Sequence, residues 1–327
     1  MAAVLGAMPL ADLTCRPPLN WVGGKGIIQD TVRLVFPPWA DRRAEHFCGG
    51  AGILFGTQPR PGVTELLNDF DCDVANFFVC LRDRVFALVE ELKCFPLQSE
   101  EEFNWLKKYL AREEILPDFS LSELRIARRW LTPEQYAQVE PLLRGRAELW
   151  DVKRAAAFYK VNRWCFNGTM DAFAAKPARL YRFFPTLLAA SQRLQDVVIT
   201  NRDFEASFRL NDKASTLHYF DPPYFLTEKM YRPQFSVEDH RRLHDLTYEP
   251  KGYVVISYSD HKFIRELYRN CYILSFERAN PMSLKKGAKF RELLITTFDP
   301  LPVIEANGQL SMFGDLPRGL ELVNTPH

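Results

Sequence analysis

A buried strand that runs directly into two prolines is the feature that most constrains this chain. Leu217 and Phe220 belong to the predicted strand, and Asp221-Pro222-Pro223-Tyr224 follows it at once. Proline has no N–H to give a sheet and fixes its own φ, so the strand ends here in a stiff turn. This turn places carbonyl and carboxylate acceptors beside an aromatic ring. A planar group with an exocyclic amine, such as adenine or cytosine, fits these acceptors, and a simple strand-ending turn is the alternative.

Two glycine-rich turns nearer the N-terminus indicate a nucleotide-like ligand. Gly23-Gly24-Lys25 precedes a predicted helix, and Gly49-Gly50-Ala51 lies between a predicted strand and a helix. Glycines let the backbone approach a ligand closely, and the N–H groups that follow favour anions. The next predicted strand, 63–67, leads to Asp69, at a place where open α/β sheets bind ribose hydroxyls. The pattern predicts an adenosine-bearing cofactor, and the alternative is that Asp69 only caps a helix.

The stretch from residue 73 to residue 149 has apolar residues at helical spacing, and it is too long for a loop. We predict a helical insertion at 81–185, within an α/β core formed by 19–80 and 186–299. Residues 125–182 hold twelve lysines and arginines against five acidic residues. This excess is typical of a face that contacts phosphates, and a solvated helix face is the alternative.

The sequence after the insertion again alternates strands and helices. Strands are predicted at 197–200, 253–257, 272–276 and 293–298, and a helix at 237–246 begins with a Ser236–Asp239 capping box. His240 and His244 are one helical turn apart, but without a third ligand they indicate a solvated face, and no metal is expected. Residues 300–327 show no period and are predicted to form a flexible tail.

Composition excludes several classes of protein. The formal net charge is +1, which argues against a purely electrostatic nucleic-acid binder. The seven cysteines are scattered without a Cys-x-x-Cys pair, which is typical of reduced thiols. No apolar run approaches the length of a membrane span, and the N-terminus lacks the basic start of a signal peptide. We expect a soluble cytoplasmic protein.

Five motifs, in order, resemble those of the Dam-like DNA adenine-N6 methyltransferases (D12 class, alpha group). The resemblance covers residues 19–299. It implies a Rossmann-like S-adenosylmethionine-dependent methyltransferase sheet with an inserted helical target-recognition domain. The implied activity is transfer of a methyl group from S-adenosyl-L-methionine to N6 of a flipped-out adenine in double-stranded DNA. The motifs are Leu19-x-Trp21-x-Gly23-Gly24-Lys25, Glu45-x-Phe47-x-Gly49-Gly50, Asn68-Asp69-x-Asp71, Asn162-Arg163-x-x-Phe166-Asn167-Gly168 and Asp221-Pro222-Pro223-Tyr224.

The resemblance also implies roles for individual residues. The target adenine is held by Asp221, Pro222 and Tyr224, and Asp221 also borders the cofactor. The cofactor is bound by Trp21, Lys25, Phe47, Gly49, Asp69, Asp203 and Phe204, with Lys25 on the methionine carboxylate, Asp69 on the ribose and Asp203 and Phe204 on the adenine. DNA is contacted by Arg163, Phe166 and Asn167, and the basic run adds Arg125, Arg128 and Arg129.

Three alternatives stay open at this point. They are cytosine-N4 methylation, methylation of RNA adenine, and a catalytically idle DNA-binding protein of the same fold. Two positions depart from the family pattern: Ala51 stands where many members have glycine, and Asp171 is acidic in the recognition region. The resemblance therefore does not predict the target sequence.

The segment Gln309-Leu310-Ser311-Met312-Phe313 lies between two glycines near the C-terminus. It resembles the peptide by which bacterial replication and repair proteins dock on the sliding clamp. The resemblance predicts clamp binding through Gln309, Leu310, Met312 and Phe313, in a bacterial cytoplasm where DNA is the substrate. The alternative is that this segment packs on the protein's own core.

Overall fold

The computed structural model shows two compact units. A sheet unit comprises Lys25–Gly49, Arg60–Asp71 and Val197–His327, and a helical unit comprises Met1–Gly24, Gly50–Pro59 and Cys72–Asp196. The residues that the structure describes are 16–21, 28–93, 99–112, 119–166, 168–174, 179–225, 235–279, 289–308, 316–317 and 319–326.

Within those residues, eight strands form a single sheet in the sheet unit. They are β1 (Arg42–Glu45), β2 (Thr64–Asn68), β3 (Val197–Thr200), β4 (Thr216–Phe220), β5 (Tyr253–Ser259), β6 (Tyr272–Ala279), β7 (Lys289–Thr296) and β8 (Leu320–Asn324). Their order across the sheet is β3-β2-β1-β4-β5-β7-β6-β8.

The first five strands pair in parallel, and β7 is inserted antiparallel between β5 and β6. Every residue of β4 is buried, as expected for a central parallel strand covered on both faces. The strand order reverses between β1 and β4. In open α/β sheets ligands bind beyond the carboxyl ends of the strands at such a point. The predicted Rossmann-like sheet is confirmed.

The helices follow the apolar spacing of the sequence. The sheet unit contains α1 and α10 to α13, and the helical unit contains α2 to α9. In chain order they are α1 (Gln29–Arg33), α2 (Gly52–Phe55), α3 (Cys72–Asp83), α4 (Val85–Lys93), α5 (Glu100–Leu110), α6 (Phe119–Trp130), α7 (Pro133–Trp150), α8 (Val152–Trp164), α9 (Phe184–Arg193), α10 (Phe204–Asn211), α11 (Val237–Leu246), α12 (Lys262–Leu267) and α13 (Leu301–Ala306).

Side-chain caps explain where several helices begin. Asp151 accepts the Arg154 N–H at the start of α8, and the predicted box of Ser236 with Asp239 opens α11. Such caps bind N–H groups that have no partner inside the helix, and each contributes about 1 kcal/mol.

The helical unit packs around α3 and α8. The Phe77 and Tyr159 rings stack with centroids 5.5 Å apart, and an Arg154–Asp73 ion pair joins the same two helices. The predicted insertion, 81–185, contains α4 to α8, and its boundaries stay a prediction. In the structure α3 and α9, which the sequence analysis assigned to the core, belong to the helical unit.

The prediction of a tail without structure from residue 300 is wrong. Residues 301–306 form α13, and β8 pairs with β6 as the outermost strand of the sheet. Leu320 is buried and Val323 packs on the sheet core, while the Asn307 amide donates to the Leu34 and Phe36 carbonyls. A five-residue strand carries too little alternation to be recognised, so its pairing with β6 could not be read from the tail alone.

Candidate active site

The carboxyl ends of β1, β2 and β4 meet at one edge of the sheet, because these strands are parallel and in register. Phe47 lies two residues beyond β1, Asp69 directly follows β2, and Asp221 directly follows β4. The sheet therefore brings the two candidate carboxylates to the same edge, on either side of β1.

Asn68, the last residue of β2, ties the end of its strand to the ends of β1 and β3. Its buried side-chain amide donates to the His46 carbonyl (3.2 Å) and to the Arg202 carbonyl (2.9 Å). Its side-chain oxygen accepts from the Arg202 N–H (3.1 Å) and from the Thr200 hydroxyl (2.8 Å). A buried polar group this well bonded makes the edge rigid. The motif that contains Asn68 does not reveal this structural role.

Asp69 is held by backbone N–H groups. The Gly49 N–H donates to Oδ2 at 2.8 Å, and the Asp71 N–H donates to Oδ1 at 3.0 Å. Burial raises the pKa of the Asp69 carboxyl, while these N–H bonds act in the opposite direction. The Asn201 side chain fixes the backbone here by donating to the Asp69 and Phe70 carbonyls.

The glycine turn contains two left-handed residues, Gly49 at φ +46° and Ala51 at φ +52°. This conformation suits glycine, and in Ala51 it stores about 1–2 kcal/mol of strain. Within the helical unit, a Cβ added at Gly50 would lie 2.9 Å from the Trp21 Cβ. Glycine at this position therefore allows Trp21 to pack on the turn.

Asp203 and Phe204 have contacts that the sequence did not indicate. Asp203 caps α10 by accepting the Glu205 N–H, and it also accepts from the Arg242 guanidinium at 2.6 Å. Phe204 is buried, with its ring 5.4 Å from that of Phe47 and with the Arg242 guanidinium 4.3 Å over it. The exposed ring beside Asp69 is instead Phe70, which is 56% exposed.

Asp221 is oriented by a hydroxyl from the neighbouring strand. The Ser257 Oγ of β5 donates to Asp221 Oδ1 at 2.9 Å and lies 3.0 Å from the Tyr219 hydroxyl. Burial raises the pKa of Tyr219 well above its usual range, so its hydroxyl stays protonated and donates to Ser257. Sequence reasoning missed Ser257 because only strand pairing brings it to Asp221.

Tyr224 is fixed at its hydroxyl, which donates to Glu292 Oε2 at 2.9 Å. Its ring lies beside Tyr258, with centroids 6.1 Å apart. Tyr258 is in turn 2.8 Å from the Nδ1 of His240, which is buried. His240 therefore packs in the core, and the expectation of a solvated face is wrong for it.

Comparison with known proteins decides the class. The family described as D12 class N6 adenine-specific DNA methyltransferase matches residues 21–282. The chain belongs to this family. It is also similar to the DNA adenine methylase of Haemophilus influenzae (strain ATCC 51907 / DSM 11121 / KW20 / Rd), with 25% identity over 300 residues, 85% of this chain and 92% of the relative. The protein is thus an adenine-specific DNA methyltransferase.

The helical unit of the methyltransferase holds the segment before the first glycine turn. The Asn162 side chain bonds both backbone groups of Asn20, accepting its N–H at 2.9 Å and donating to its carbonyl at 2.7 Å. A Cβ added at Gly168 would lie 2.8 Å from the Asn20 oxygen. The motif around residue 165 therefore positions residues 19–21.

The predicted DNA-contacting residues fall into two groups. Arg163 is half-buried, donates to the Asn20 side chain at 2.9 Å and lies 3.7 Å over the Phe183 ring. Phe166 is 55% exposed, which leaves its ring accessible. On α6, Arg125, Arg128 and Arg129 are all exposed, and the Arg128 guanidinium lies 5.0 Å over the Tyr136 ring.

Several predicted residues lie outside the described part of the chain. They are Lys25, Asn167 and the four clamp-binding candidates Gln309, Leu310, Met312 and Phe313. Within the described residues, no helix is both long and apolar enough to cross a membrane.

Proposed function

We propose that this methyltransferase transfers the methyl group of S-adenosyl-L-methionine to N6 of an adenine flipped out of double-stranded DNA. The observation that carries the proposal is the turn after β4, where Ser257 orients the Asp221 carboxylate and Glu292 holds the Tyr224 ring. A planar base with an exocyclic amine requires hydrogen-bond acceptors and a stacking ring. Both lie here at the point where the strand order of the sheet reverses.

The chemistry follows from these acceptors. The N6 lone pair of adenine is delocalised into the ring, which makes N6 a poor nucleophile. If Asp221 accepts one N6–H and the Pro222 carbonyl accepts the other, the nitrogen is held with its lone pair toward the methyl donor. Orientation and electrostatic stabilisation then supply most of the rate. Stacking on Tyr224 offsets part of the few kcal/mol that unstacking a base costs.

The chemistry of the sheet edge fits S-adenosylmethionine. A carboxylate at the end of β2 suits a ribose diol, and Asp69 is aimed by two N–H groups. The exposed Phe70 ring and the Asp203 region offer an apolar face and an acceptor for adenine. Phe47, Gly49, Trp21 and Lys25 complete the proposed set. When bound, the cofactor supplies an electrophilic methyl group on a sulfonium.

The decisive experiment is methyl transfer to DNA by the purified protein. With S-adenosylmethionine and plasmid DNA, mass spectrometry of the nucleosides should find N6-methyladenine, and sequencing that detects methylated bases should place it at one short sequence. The same assay on cells with and without the protein tests its action in vivo. Methyl groups found on cytosine, or on RNA but not on DNA, would overturn the proposal.

We propose that α6 contacts the DNA backbone through Arg125, Arg128 and Arg129. These three exposed cations lie within twelve residues of one helix, as phosphate contacts require. Replacing all three by Glu should weaken DNA binding and make it less dependent on salt. Replacing the exposed Arg209, Arg241 and Arg269 of the sheet unit by Glu provides a control with the same charge change. An equal loss in the control would show a non-specific effect of net charge.

We also propose that the segment of Gln309, Leu310, Met312 and Phe313 binds a bacterial sliding clamp, in the cytoplasm where the DNA lies. In the chain the segment lies between α13 and β8. A peptide of residues 305–316 should bind a clamp in the micromolar range, about −8 kcal/mol. Leu310→Ala with Phe313→Ala should abolish clamp binding by the whole protein but not methylation of short DNA. No binding by the wild type would end this proposal.

A further inference from the structure

The partner of the Tyr224 hydroxyl is a fully buried charge. Glu292 lies in β7 with none of its side chain exposed, and it accepts the Tyr224 hydroxyl at 2.9 Å. The guanidinium of Arg278, in β6, forms an ion pair with the same carboxylate, and only 9% of the Arg278 side chain is exposed. A tyrosine hydroxyl, a carboxylate and a guanidinium are thus linked in series behind the turn after β4.

The sheet itself has little need of this chain. Burying two charges costs several kcal/mol per ion, and apolar residues of similar volume often stabilise a core equally well. The proposed chemistry uses only the stacking face of the Tyr224 ring and not its hydroxyl. The buried pair therefore requires an explanation in terms of what it holds in place.

The strands place Arg278 and Glu292 firmly. Arg278 pairs with Phe290 and Phe276 pairs with Glu292 in the antiparallel ladder, so Arg278 and Glu292 are diagonal neighbours on one face. The Arg278 guanidinium lies 4.3 Å over the Phe290 ring, which gives it an apolar floor. The carboxylate is thereby presented at a fixed position to Tyr224.

Tyr224 is consequently restrained at three points. The two prolines restrain its backbone, Tyr258 lies beside its ring, and Glu292 binds its hydroxyl. Burial and the nearby Asp221 and Glu292 carboxylates raise the pKa of Tyr224 well above its usual range, so the hydroxyl remains a donor at physiological pH. The backbone and the hydroxyl bond fix the long axis of the ring. Because a phenolic O–H lies in the plane of its ring, the fixed Glu292 acceptor and the Tyr258 contact together also favour one ring plane.

We propose that Glu292, paired with Arg278, is a positioning residue that fixes the plane of the Tyr224 ring on which the target adenine stacks. The inference rests on the proposed function, and it deepens it by explaining how the stacking face is set before DNA binds. A ring already in place saves the entropy of ordering it in the complex. Glu292 acts through Tyr224 and does not touch the base.

A single substitution at Glu292 would leave the Arg278 charge in the protein interior without its ion-pair partner. The test therefore uses two double variants. Glu292→Gln with Arg278→Met keeps an acceptor for the Tyr224 hydroxyl and removes both charges. Glu292→Met with Arg278→Met removes the charges and the acceptor. Both are made with Tyr224 and again with Tyr224→Phe, and each is measured for melting temperature, cofactor affinity and single-turnover methylation of a duplex carrying the mapped target sequence.

With Tyr224 present, the Met/Met variant should methylate about tenfold more slowly than the Gln/Met variant, at similar cofactor affinity. In the Tyr224→Phe proteins the two should have the same rate, because no hydroxyl remains to be held. Equal rates with Tyr224 present would overturn the proposal. The same tenfold ratio in the Tyr224→Phe proteins would also overturn it, by showing that Glu292 acts on the fold and not through Tyr224.

A second readout separates this inference from the proposed function. In protein labelled with ¹³Cζ-tyrosine, the resonance assigned to Tyr224 by its loss in Tyr224→Phe should shift in the Met/Met variant and far less in the Gln/Met variant. This measurement needs no methyl transfer. If the Met/Met variant shows the shift but the wild-type protein never methylates adenine, the proposed function is overturned and the positioning role of Glu292 stands. No shift in either variant would disprove the positioning role itself.

Discussion

The two carboxylates at the carboxyl edge of the sheet are held in different ways. Asp69 accepts the backbone N–H groups of Gly49, in the neighbouring glycine turn, and of Asp71, in its own turn. Asp221 accepts the Ser257 hydroxyl, and Tyr224 beside it donates to Glu292. The Asp69 carboxylate is thus bound by main-chain N–H groups, whereas Asp221 and Tyr224 are bound by side chains from β5 and β7.

The difference has consequences for how each site tolerates change. No substitution of a neighbouring side chain removes a backbone N–H, so the grip on Asp69 depends on the conformation of the glycine turn. The grip on Asp221 and Tyr224 depends on Ser257 and Glu292, which lie 36 and 68 residues away in the chain. Substitutions far from the Asp221 turn should therefore weaken catalysis without changing cofactor binding.

The largest expected effect comes from Asp221→Ala. Loss of the acceptor for N6–H should slow methyl transfer by about 10³-fold, because one oriented group at the reacting atom is removed. Asp260, which follows β5 at the same edge and binds Arg265 at 2.6 Å, provides the control, since Asp260→Ala should change the rate less than threefold, roughly. Single-turnover assays measure both. An active Asp221→Ala enzyme would exclude the proposed mechanism.

Asp69→Ala should weaken cofactor binding, whereas Asp221→Ala should slow methyl transfer. Each lost hydrogen bond to a charged acceptor is worth about 1.5–3 kcal/mol, so cofactor affinity should fall roughly 10- to 100-fold. Calorimetry with S-adenosylmethionine measures this, and the Asp221→Ala protein should bind nearly as well as the wild type. Unchanged affinity in Asp69→Ala would remove Asp69 from the cofactor site.

The features that the sequence predicts are those with a local signal, and the features that it does not predict depend on contacts between distant residues. The sheet, the edge carrying Asp69 and Asp221, and the capping box of α11 were predictable because strand periodicity, glycine turns and caps are local signals. Ser257, Glu292 and the role of Asn68 were not, because each acts on a residue that only strand pairing brings near. The strand β8 was missed for the same reason, since its partner β6 lies more than forty residues earlier.

The next prediction concerns the histidine pair beneath both sites. His46 precedes Phe47, and its Nε2 lies 2.9 Å from the Nδ1 of His218, which is three residues before Asp221. The remaining ring nitrogens face the Ser207 hydroxyl at 3.0 Å and the Asp212 carboxylate at 3.4 Å. Burial lowers the pKa of His218 to about 4, and it lowers the pKa of His46 well below its usual value.

As the pH falls, both histidines are therefore still neutral in the folded protein at pH values where the same histidines already bind protons in the unfolded chain. Above about pH 6.5 neither state is protonated at these sites, and they do not affect the pH dependence of stability. From there down to about pH 4 His218 should lower the free energy of unfolding by up to about 1.4 kcal/mol per pH unit, and His46 should act in the same direction. Urea midpoints across this range should fall less steeply in His218→Gln. Parallel curves for variant and wild type would contradict the assignment.

The smallest expected effect tests the hydrogen bond from Ser257 to Asp221 directly. Ser257→Ala removes the hydrogen bond to Asp221 Oδ1, and a bond of about 1 kcal/mol predicts a roughly fivefold slower methyl transfer with unchanged cofactor affinity. Ser275→Ala is the matched control, because Ser275 is also buried in the sheet and its hydroxyl has no hydrogen-bond partner among the described residues.

Ser257→Ala also leaves the buried Tyr219 hydroxyl without its serine, so the protein should melt at a lower temperature. Adding Tyr219→Phe removes that hydroxyl and should restore stability without restoring the rate, because Asp221 still lacks its donor. If Tyr219→Phe restored the rate as well, the loss in Ser257→Ala would come from general destabilisation. Asp221 would then be held by its turn alone, as Asp69 is, and the contrast between the two sites would disappear.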